Sequence, residues 1–235
     1  MSTEEFEYDK GKKYIVRLFE FLPGRILEGA PYTADLLFEI GKVSGEIDKA
    51  CQDQKQLAVD VIDAFKREVV DHYEELRSGT IHADFGEQNI LIRKSEIEGR
   101  EYEVAGILDF GDSAFSYYIF EIAINMCYMM LDSNVLDTFE TGGHMLAGYL
   151  SVFNLPQKDM QILKECICAR MIQSLIVGIY SAKMDPKNLE YITKTSARGW
   201  GFLKKLWKTP KKEMYKKFSN CVSKYGIVAN FSENT

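Results

Sequence analysis

Residues 81–89 of this 235-residue chain read Ile-His-Ala-Asp-Phe-Gly-Glu-Gln-Asn, and residues 107–112 read Ile-Leu-Asp-Phe-Gly-Asp. Together they give the pattern H-x-D-x-x-x-x-N followed by D-F-G. From residue frequencies, the first pattern alone arises by chance in roughly one chain in a hundred of this length. The occurrence of both patterns in one chain indicates that its catalytic residues lie in these two segments.

The sequence between these two motifs predicts a β-hairpin. Residues 90–93 and 102–108 are short apolar runs, joined by a polar segment that contains a glycine. Asn89 directly precedes the first run and Asp109 directly follows the second. Antiparallel strands lie about 4.8 Å apart, so both side chains should emerge at the open end of the hairpin. A carboxylate beside an amide oxygen suits Mg²⁺, which completes its shell with water and substrate phosphates, and we expect Asn89 and Asp109 to be its ligands.

Three side chains near this pair have expected roles. Asp84 should accept the proton of a substrate hydroxyl, the task of a carboxylate in phosphoryl transfer. His82 is the second candidate catalytic residue, and a purely structural role in supporting the loop is its alternative. Glu121, on an otherwise apolar helix, is expected to brace the loop from beneath rather than face solvent. Asp109 acting only as a helix cap is the weaker alternative to a metal ligand, because a cap explains neither Asn89 nor Asp84.

The rest of the chain predicts strands early and helices late. Residues 14–21 are rich in β-branched and aromatic side chains and stop at Pro23-Gly24, which predicts a strand and a turn, with no preceding partner strand. Helical spacing predicts one helix from Thr33 and, after a short link, another from Gln56. Further helices follow the hairpin, one of them opened by Pro156 and nearly all apolar at residues 166–180, and another capped at residues 185–186.

Composition narrows the classes of function. The chain has 29 Lys and Arg against 35 Asp and Glu, a formal charge of -6, which argues against a nucleic-acid binder. We expect a cytoplasmic protein with no membrane segment, because no stretch reaches the length of a span and the acidic N-terminus is unlike a signal peptide. The Lys-rich segment at residues 204–217 is interpreted as an amphipathic helix with a solvated basic face, rather than as a membrane or polyanion site. The five cysteines are expected to be reduced core thiols: Cys51, Cys127, Cys166, Cys168 and Cys221.

At these residues the chain resembles the aminoglycoside phosphotransferase and choline kinase family, and within it the hydroxylysine kinases. The resemblance spans roughly residues 14–207. It rests on the motifs at residues 106–112, 118–123, 128–130, 142–148, 173–177 and 180–181.

The resemblance implies a protein-kinase-like α/β (α+β) fold, mainly the helical C-terminal lobe with the metal site on the short hairpin. It implies that Asp84 is the base, that Asn89 and Asp109 bind Mg²⁺, and that the backbone of Glu20, Phe21 and Leu22 is the hinge that holds the purine. The implied reaction is GTP-dependent phosphorylation of 5-hydroxylysine, a small amino alcohol. ATP as donor, and choline or homoserine as acceptor, stay open, and the oligomeric state is unknown.

Two departures from the family bear on activity. Residues 1–22 are expected to be a remnant of the N-terminal lobe with the hinge strand, and residues 23–235 the helical catalytic lobe. Without a glycine-rich phosphate loop and a strand-borne lysine, the alternative is a catalytically weak or silent binding or regulatory protein. Ala83 stands where the family usually has glycine, which should be tolerated if the backbone there is not left-handed.

Overall fold

The architecture is described from a computed structural model over residues 2–7, 13–18, 31–184, 189–229 and 231. These residues form three two-stranded antiparallel sheets and seven α-helices. The strands are β1 (Ser2–Glu7), β2 (Lys13–Leu18), β3 (Ser78–Ile81), β4 (Ile90–Lys94), β5 (Tyr102–Ile107) and β6 (Ala114–Tyr117). The helices are α1 (Ala34–Glu68), α2 (Tyr118–Asp132), α3 (Thr138–Val152), α4 (Gln157–Gln161), α5 (Leu163–Met184), α6 (Leu189–Lys208) and α7 (Lys211–Ser223). The strands come early and the helices dominate later, as predicted.

The first strand predicted from the sequence has a partner, and the expectation that it stands alone is wrong. Its described part is β2, which pairs antiparallel with β1 so that Phe6 lies opposite Tyr14. The sequence conceals β1 because three of its six residues are glutamates, which strands disfavour. Backbone pairing with an adjacent strand outweighs that weak preference. The predicted turn at Pro23-Gly24 lies outside the described residues.

The prediction of two helices in the region after Thr33 is also wrong, because α1 is one continuous helix. Thr33 caps it as predicted, since its hydroxyl oxygen accepts from the Leu36 backbone N–H at 3.3 Å. The polar run at residues 48–56 has the composition of a linker, yet it contains neither Pro nor Gly and is rich in Lys, Ala and Gln, which are good helix formers. The helix therefore continues through it to Glu68.

Two of the sheets frame the motif-bearing loops. The predicted hairpin is confirmed as β4 and β5, which pair antiparallel with an irregularity between Leu91 and Ile92. β3 pairs antiparallel with β6, and Ile81 lies opposite Ala114. Both of those strands have only four residues, too short for a clear sequence pattern. β3 leads into the loop at residues 82–89, and β6 leads directly into α2.

The helices bury one core around α5, as the apolar character of that segment predicts. α5 packs against α1, α2 and α6, and α3 packs against α2 and α7. Pro156 precedes the short α4 instead of opening α5 itself, and the predicted cap at residues 185–186 lies outside the described residues. Within the described part of the chain, no helix combines the length and the apolar character needed to span a membrane.

Four of the cysteines are buried and unpaired, as predicted for reduced core thiols. They are Cys127, Cys166, Cys168 and Cys221, and the side chain of Cys51 lies outside the described part. Burial raises the pKa of the Cys127 thiol to about 12, so this sulfur is a poor nucleophile at neutral pH.

Candidate active site

The carboxylate of Asp84 is held through both of its oxygens. The Arg170 Nη2 group donates to Oδ1 at 2.9 Å, and Asn89 Nδ2 donates to Oδ2 at 3.3 Å. Asn89 Nδ2 also donates to the backbone oxygen of Asp84 at 2.8 Å, which closes the loop on itself. The Asp84 side chain remains 41% exposed. A carboxylate that is oriented by donors and still accessible can receive a proton from a bound hydroxyl.

Asn89 and Asp109 come together at the open end of the hairpin, as predicted. The Leu108 backbone N–H donates to the Asn89 backbone oxygen at 2.8 Å, so the two strand ends remain side by side. Asp109 has a left-handed backbone with φ of 57°, and its Oδ1 accepts from the Gly111 N–H at 3.3 Å. Because the Asn89 amide nitrogen faces two acceptors on Asp84, the amide oxygen is turned away from Asp84. Asp84, Asn89 and Asp109 line one cavity of about 220 Å³.

The side chains of this cavity fit a magnesium ion bound largely through substrate phosphates. Four of its lining residues are acidic, and they are Asp84, Glu87, Asp109 and Asp132. Within the described residues, no group of three or more His, Cys, Asp or Glu side chains is placed to hold a metal by itself. Mg²⁺ needs only one or two carboxylates when phosphates and water complete its octahedron, and an amide oxygen with a carboxylate meets that need.

His82 connects the two motif-bearing loops. It is 8% exposed, its Nε2 lies 2.9 Å from the Leu108 backbone oxygen, and the Asp84 N–H donates to its Nδ1 at 3.4 Å. A carbonyl can only accept, so Nε2 carries the proton and Nδ1 is the acceptor. The ring also packs against Phe110, with 4.8 Å between centroids. His82 is not among the described residues that line the cavity, and these contacts favour its structural alternative.

The prediction that Glu121 braces the loop is confirmed. Its Oε2 accepts from the Ala83 backbone N–H at 3.0 Å, so the first residues of α2 support the loop from beneath. Burial, and after it the negative charge of Glu121, raises the pKa of Tyr149 to about 12. Ala83 itself has φ of 68°. The backbone at Ala83 is therefore left-handed, so the expectation that alanine replaces glycine there without cost is not met. A residue with a Cβ pays about 1–2 kcal/mol to adopt this conformation.

Arg170 is a site residue that the sequence motifs do not reveal. It lies on α5, 86 positions from Asp84, and its guanidinium also packs over the Tyr128 ring at 5.3 Å. Burial raises the pKa of the Tyr128 hydroxyl, and the positive charge of Arg170 partly offsets that increase. The available signal is that Arg170 interrupts the apolar stretch at residues 166–180, because a charge in a buried helix is normally paired.

Glu20, Phe21 and Leu22, expected at the hinge, lie outside the described residues. Asp112, the acidic residue that follows the D-F-G motif, is exposed and is not among the described residues that line the cavity.

A sequence profile of the phosphotransferase enzyme family (APH) matches residues 34–152, which is half of the chain and includes both motifs. The chain belongs to this family. Its mostly helical architecture with small antiparallel sheets is the kinase-like fold of that family. The resemblance drawn from the motif residues is thereby confirmed at the level of the family.

Individual relatives give a narrower likeness. The chain is 32% identical to the hydroxylysine kinase of Mus musculus over 83% of its own length, and 32% identical to that of Xenopus laevis over 88%. A solved structure of a microcompartment-associated aminopropanol kinase matches 72% of this chain and 42% of that one, with a TM-score of 0.40 and 19% identity. The chain spans 61% and 65% of the lengths of the mouse and frog proteins.

Proposed function

We propose that the chain carries the catalytic lobe of a Mg²⁺-dependent kinase that transfers the γ-phosphoryl group of GTP to the 5-hydroxyl of hydroxylysine. The observation that supports phosphotransfer is the convergence of Asp84, Asn89 and Asp109 on one cavity. Hydroxylysine is supported by the names of the mouse and frog relatives, and GTP by the resemblance to the hydroxylysine kinases. Because the chain spans 61% of the mouse protein, the activity of the whole protein is part of the proposal.

In this proposal each residue of the chain has one task. Asp84 accepts the proton of the acceptor hydroxyl as the hydroxyl oxygen attacks the γ-phosphorus. The bond from that phosphorus to the bridging oxygen breaks, which leaves a phosphoester and a nucleoside diphosphate. Asn89 and Asp109 would hold Mg²⁺, which when bound neutralises the charge of the phosphates. His82 and Glu121 fix the loop that carries Asp84.

The proposal also assigns the two parts of the chain. Residues 23–235 form the catalytic lobe, and the backbone of Glu20, Phe21 and Leu22 holds the purine of the nucleotide. The nucleotide held at the hinge and the acceptor held by the catalytic lobe must both reach the Asp84 carboxylate, because the reacting groups have to meet there.

The test is phosphotransfer by the purified chain and its Asp84→Asn variant. Hydroxylysine, choline, ethanolamine, homoserine and an aminoglycoside are each offered with GTP and with ATP, and the phosphoester is measured. Asp84→Asn should lower kcat by about 10²–10⁴-fold, the usual contribution of a general base, with nucleotide affinity unchanged. Asp63→Asn, the same change at an exposed position of α1, is the control and should leave kcat unaltered.

Three results would overturn parts of this proposal. Absence of phosphoester with every acceptor contradicts the kinase activity. Choline as the sole good acceptor contradicts hydroxylysine, and a clear preference for ATP contradicts GTP. Equal activity of Asp84→Asn and the unaltered chain contradicts the role of Asp84 as the base.

A further inference from the structure

A second cavity is lined by Arg170, whose guanidinium contacts Asp84 of the acidic cavity. It has a volume of about 490 Å³ and opens between α1, α2 and α5. Most of its walls are apolar, and the described lining residues include Ile62, Phe65, Phe120 and Ile176. Arg170 is the only charged side chain among the described residues of this wall, and Gln173 is the only amide.

Arg170 connects this cavity to the proposed base. Its Nη2 donates to Asp84 at 2.9 Å and its Nη1 donates to Gln173 Oε1 at 3.0 Å. Its Nε is buried and has no hydrogen-bond partner within the described part of the chain. The Arg170 side chain is 19% exposed, so it is largely removed from water but not sealed off.

The guanidinium of Arg170 has more N–H donors than its one anionic partner, Asp84, can occupy. A guanidinium has five N–H groups in a rigid fork, and one carboxylate satisfies only one edge of it. Asp84 uses one Nη2 contact, and neutral Gln173 is exposed and takes only one Nη1 contact. An anion in the apolar cavity can take the place of Gln173 at this edge, and its charge-assisted bonds would be stronger than those of an amide.

We infer that Arg170 selects an acceptor that carries a carboxylate, binding that carboxylate at one edge of the guanidinium while Asp84 remains at the other. The inference rests on the proposed function, which supplies the acceptor hydroxyl at Asp84. A hydroxy amino acid then spans the two groups, with its hydroxyl at Asp84, its carboxylate at Arg170 and its carbon chain against the apolar wall. A purely cationic amino alcohol gains nothing from Arg170 and meets its positive charge.

The experiment compares hydroxylysine with hydroxylysine amide, which differs only at the carboxylate. Binding to the full chain is measured by calorimetry, and kcat/KM is measured separately for both compounds. The unaltered chain should bind hydroxylysine at least about tenfold more tightly than the amide, the effect of a charge-assisted bond. Arg170→Gln should bring the two affinities within about threefold, and Arg170→Lys should lie between, because lysine keeps the charge but loses the fork.

Arg93→Lys is the matched control. Arg93 pairs with Glu103 at 2.7 Å on the exposed hairpin, away from both cavities, and its variant should keep the full preference for the carboxylate. Thermal unfolding of each variant shows whether it is folded. If Arg170→Gln does not fold, Arg170→Lys still tests the role of Arg170, and equal binding of the two compounds by the unaltered chain overturns the inference without any substitution.

The two proposals fail in different ways. If Arg170 only positions Asp84, its variants lower kcat equally for both compounds and leave the acid-to-amide ratio unchanged, which overturns the inference alone. An unaltered chain that binds the two compounds equally also overturns it. An Arg170-dependent preference in binding with no phosphoester from any acceptor overturns the proposed function and leaves the inference standing.

Discussion

Ala83 holds a backbone conformation that an alanine rarely adopts, and its neighbours leave it little freedom to change. Its N–H is fixed by Glu121, and the next residue is Asp84, whose N–H donates to His82. The left-handed φ of 68° is therefore imposed by the loop that orients the proposed base.

Ala83→Gly should stabilise the protein by about 0.5–1 kcal/mol. Glycine removes the strain of about 1–2 kcal/mol, and the larger conformational entropy of glycine in the unfolded chain offsets part of that gain. Urea unfolding measures the difference. Ala114→Gly in β6, where φ is not positive, should instead lose about 0.5–1 kcal/mol. Destabilisation by both substitutions would show that Ala83 is not strained.

At this scale the sequence predicts the residues of the loops but not those that come from the helices. Asp84, Asn89 and Asp109 are close in the chain or joined by a hairpin, so strand geometry alone places them together. Arg170 reaches Asp84 only because α5 packs against α2, which supports the loop. Such a contact depends on the packing of whole helices, and a local pattern carries no information about it.

Helix α3 packs against α7 at Gly143, whereas Gly148 on the same helix lies outside that contact. A Cβ at Gly143 would lie 2.6 Å from the Cys221 Cβ and 3.3 Å from the Phe218 Cα. Gly148 is exposed and has nothing within 4 Å of the same position. Gly143 thus permits the close approach of the two helices, whereas Gly148 has no such function.

Gly143→Ala should destabilise the protein by about 1–3 kcal/mol, the usual cost of adding a methyl group to a packed contact. Gly148→Ala should stabilise it by about 0.5–1 kcal/mol, because alanine favours a helix interior. Denaturant midpoints at equal m-value measure both. The same sign for the two variants would contradict this account of the α3 and α7 contact.

At the scale of elements, the hydrophobic periodicity of the sequence predicts that a helix or strand exists better than it predicts where that element begins and ends. The hairpin and the late helices follow from clear patterns. The link placed before Gln56 is wrong because a polar composition resembles that of a loop even where most of the residues are good helix formers. β3 and β6 are not predicted because each has only four residues. Their pairing joins residues far apart in the chain, from Ile81 and Ala114, which are 33 positions apart, to Ser78 and Tyr117, which are 39 apart. Tertiary pairing, not propensity, defines them.

In the molecule as a whole, the ion pair of Asp84 and Arg170 connects two cavities of opposite character, because Asp84 lines one and Arg170 lines the other. The acidic cavity contains the proposed metal ligands, and the apolar cavity contains Arg170 as its only charge among the described lining residues. Arg170 contacts Asp84 directly, so under the proposed function a nucleotide in the acidic cavity and an acceptor held by Arg170 would both lie next to this carboxylate. This arrangement is what a transfer between two substrates requires.

The central claim is that Asn89 and Asp109 hold a magnesium ion for the nucleotide phosphates. The most direct test is GTP binding to the purified chain with Mg²⁺ and with a chelator, for the unaltered chain and for Asp109→Asn. Asparagine tolerates the left-handed backbone and retains an oxygen for the Gly111 N–H, so the variant removes mainly the charge. Asp112→Asn, three positions away and exposed, is the control.

The account predicts that Mg²⁺ strengthens GTP binding to the unaltered chain and to Asp112→Asn. In Asp109→Asn the factor by which Mg²⁺ increases the affinity for GTP should fall by at least about tenfold. Losing a residue that only supports a metal ligand already costs about that much, and Asp109 is proposed to be a direct ligand. Binding that is independent of Mg²⁺, or an equal dependence on Mg²⁺ in Asp109→Asn and the unaltered chain, would contradict the claim.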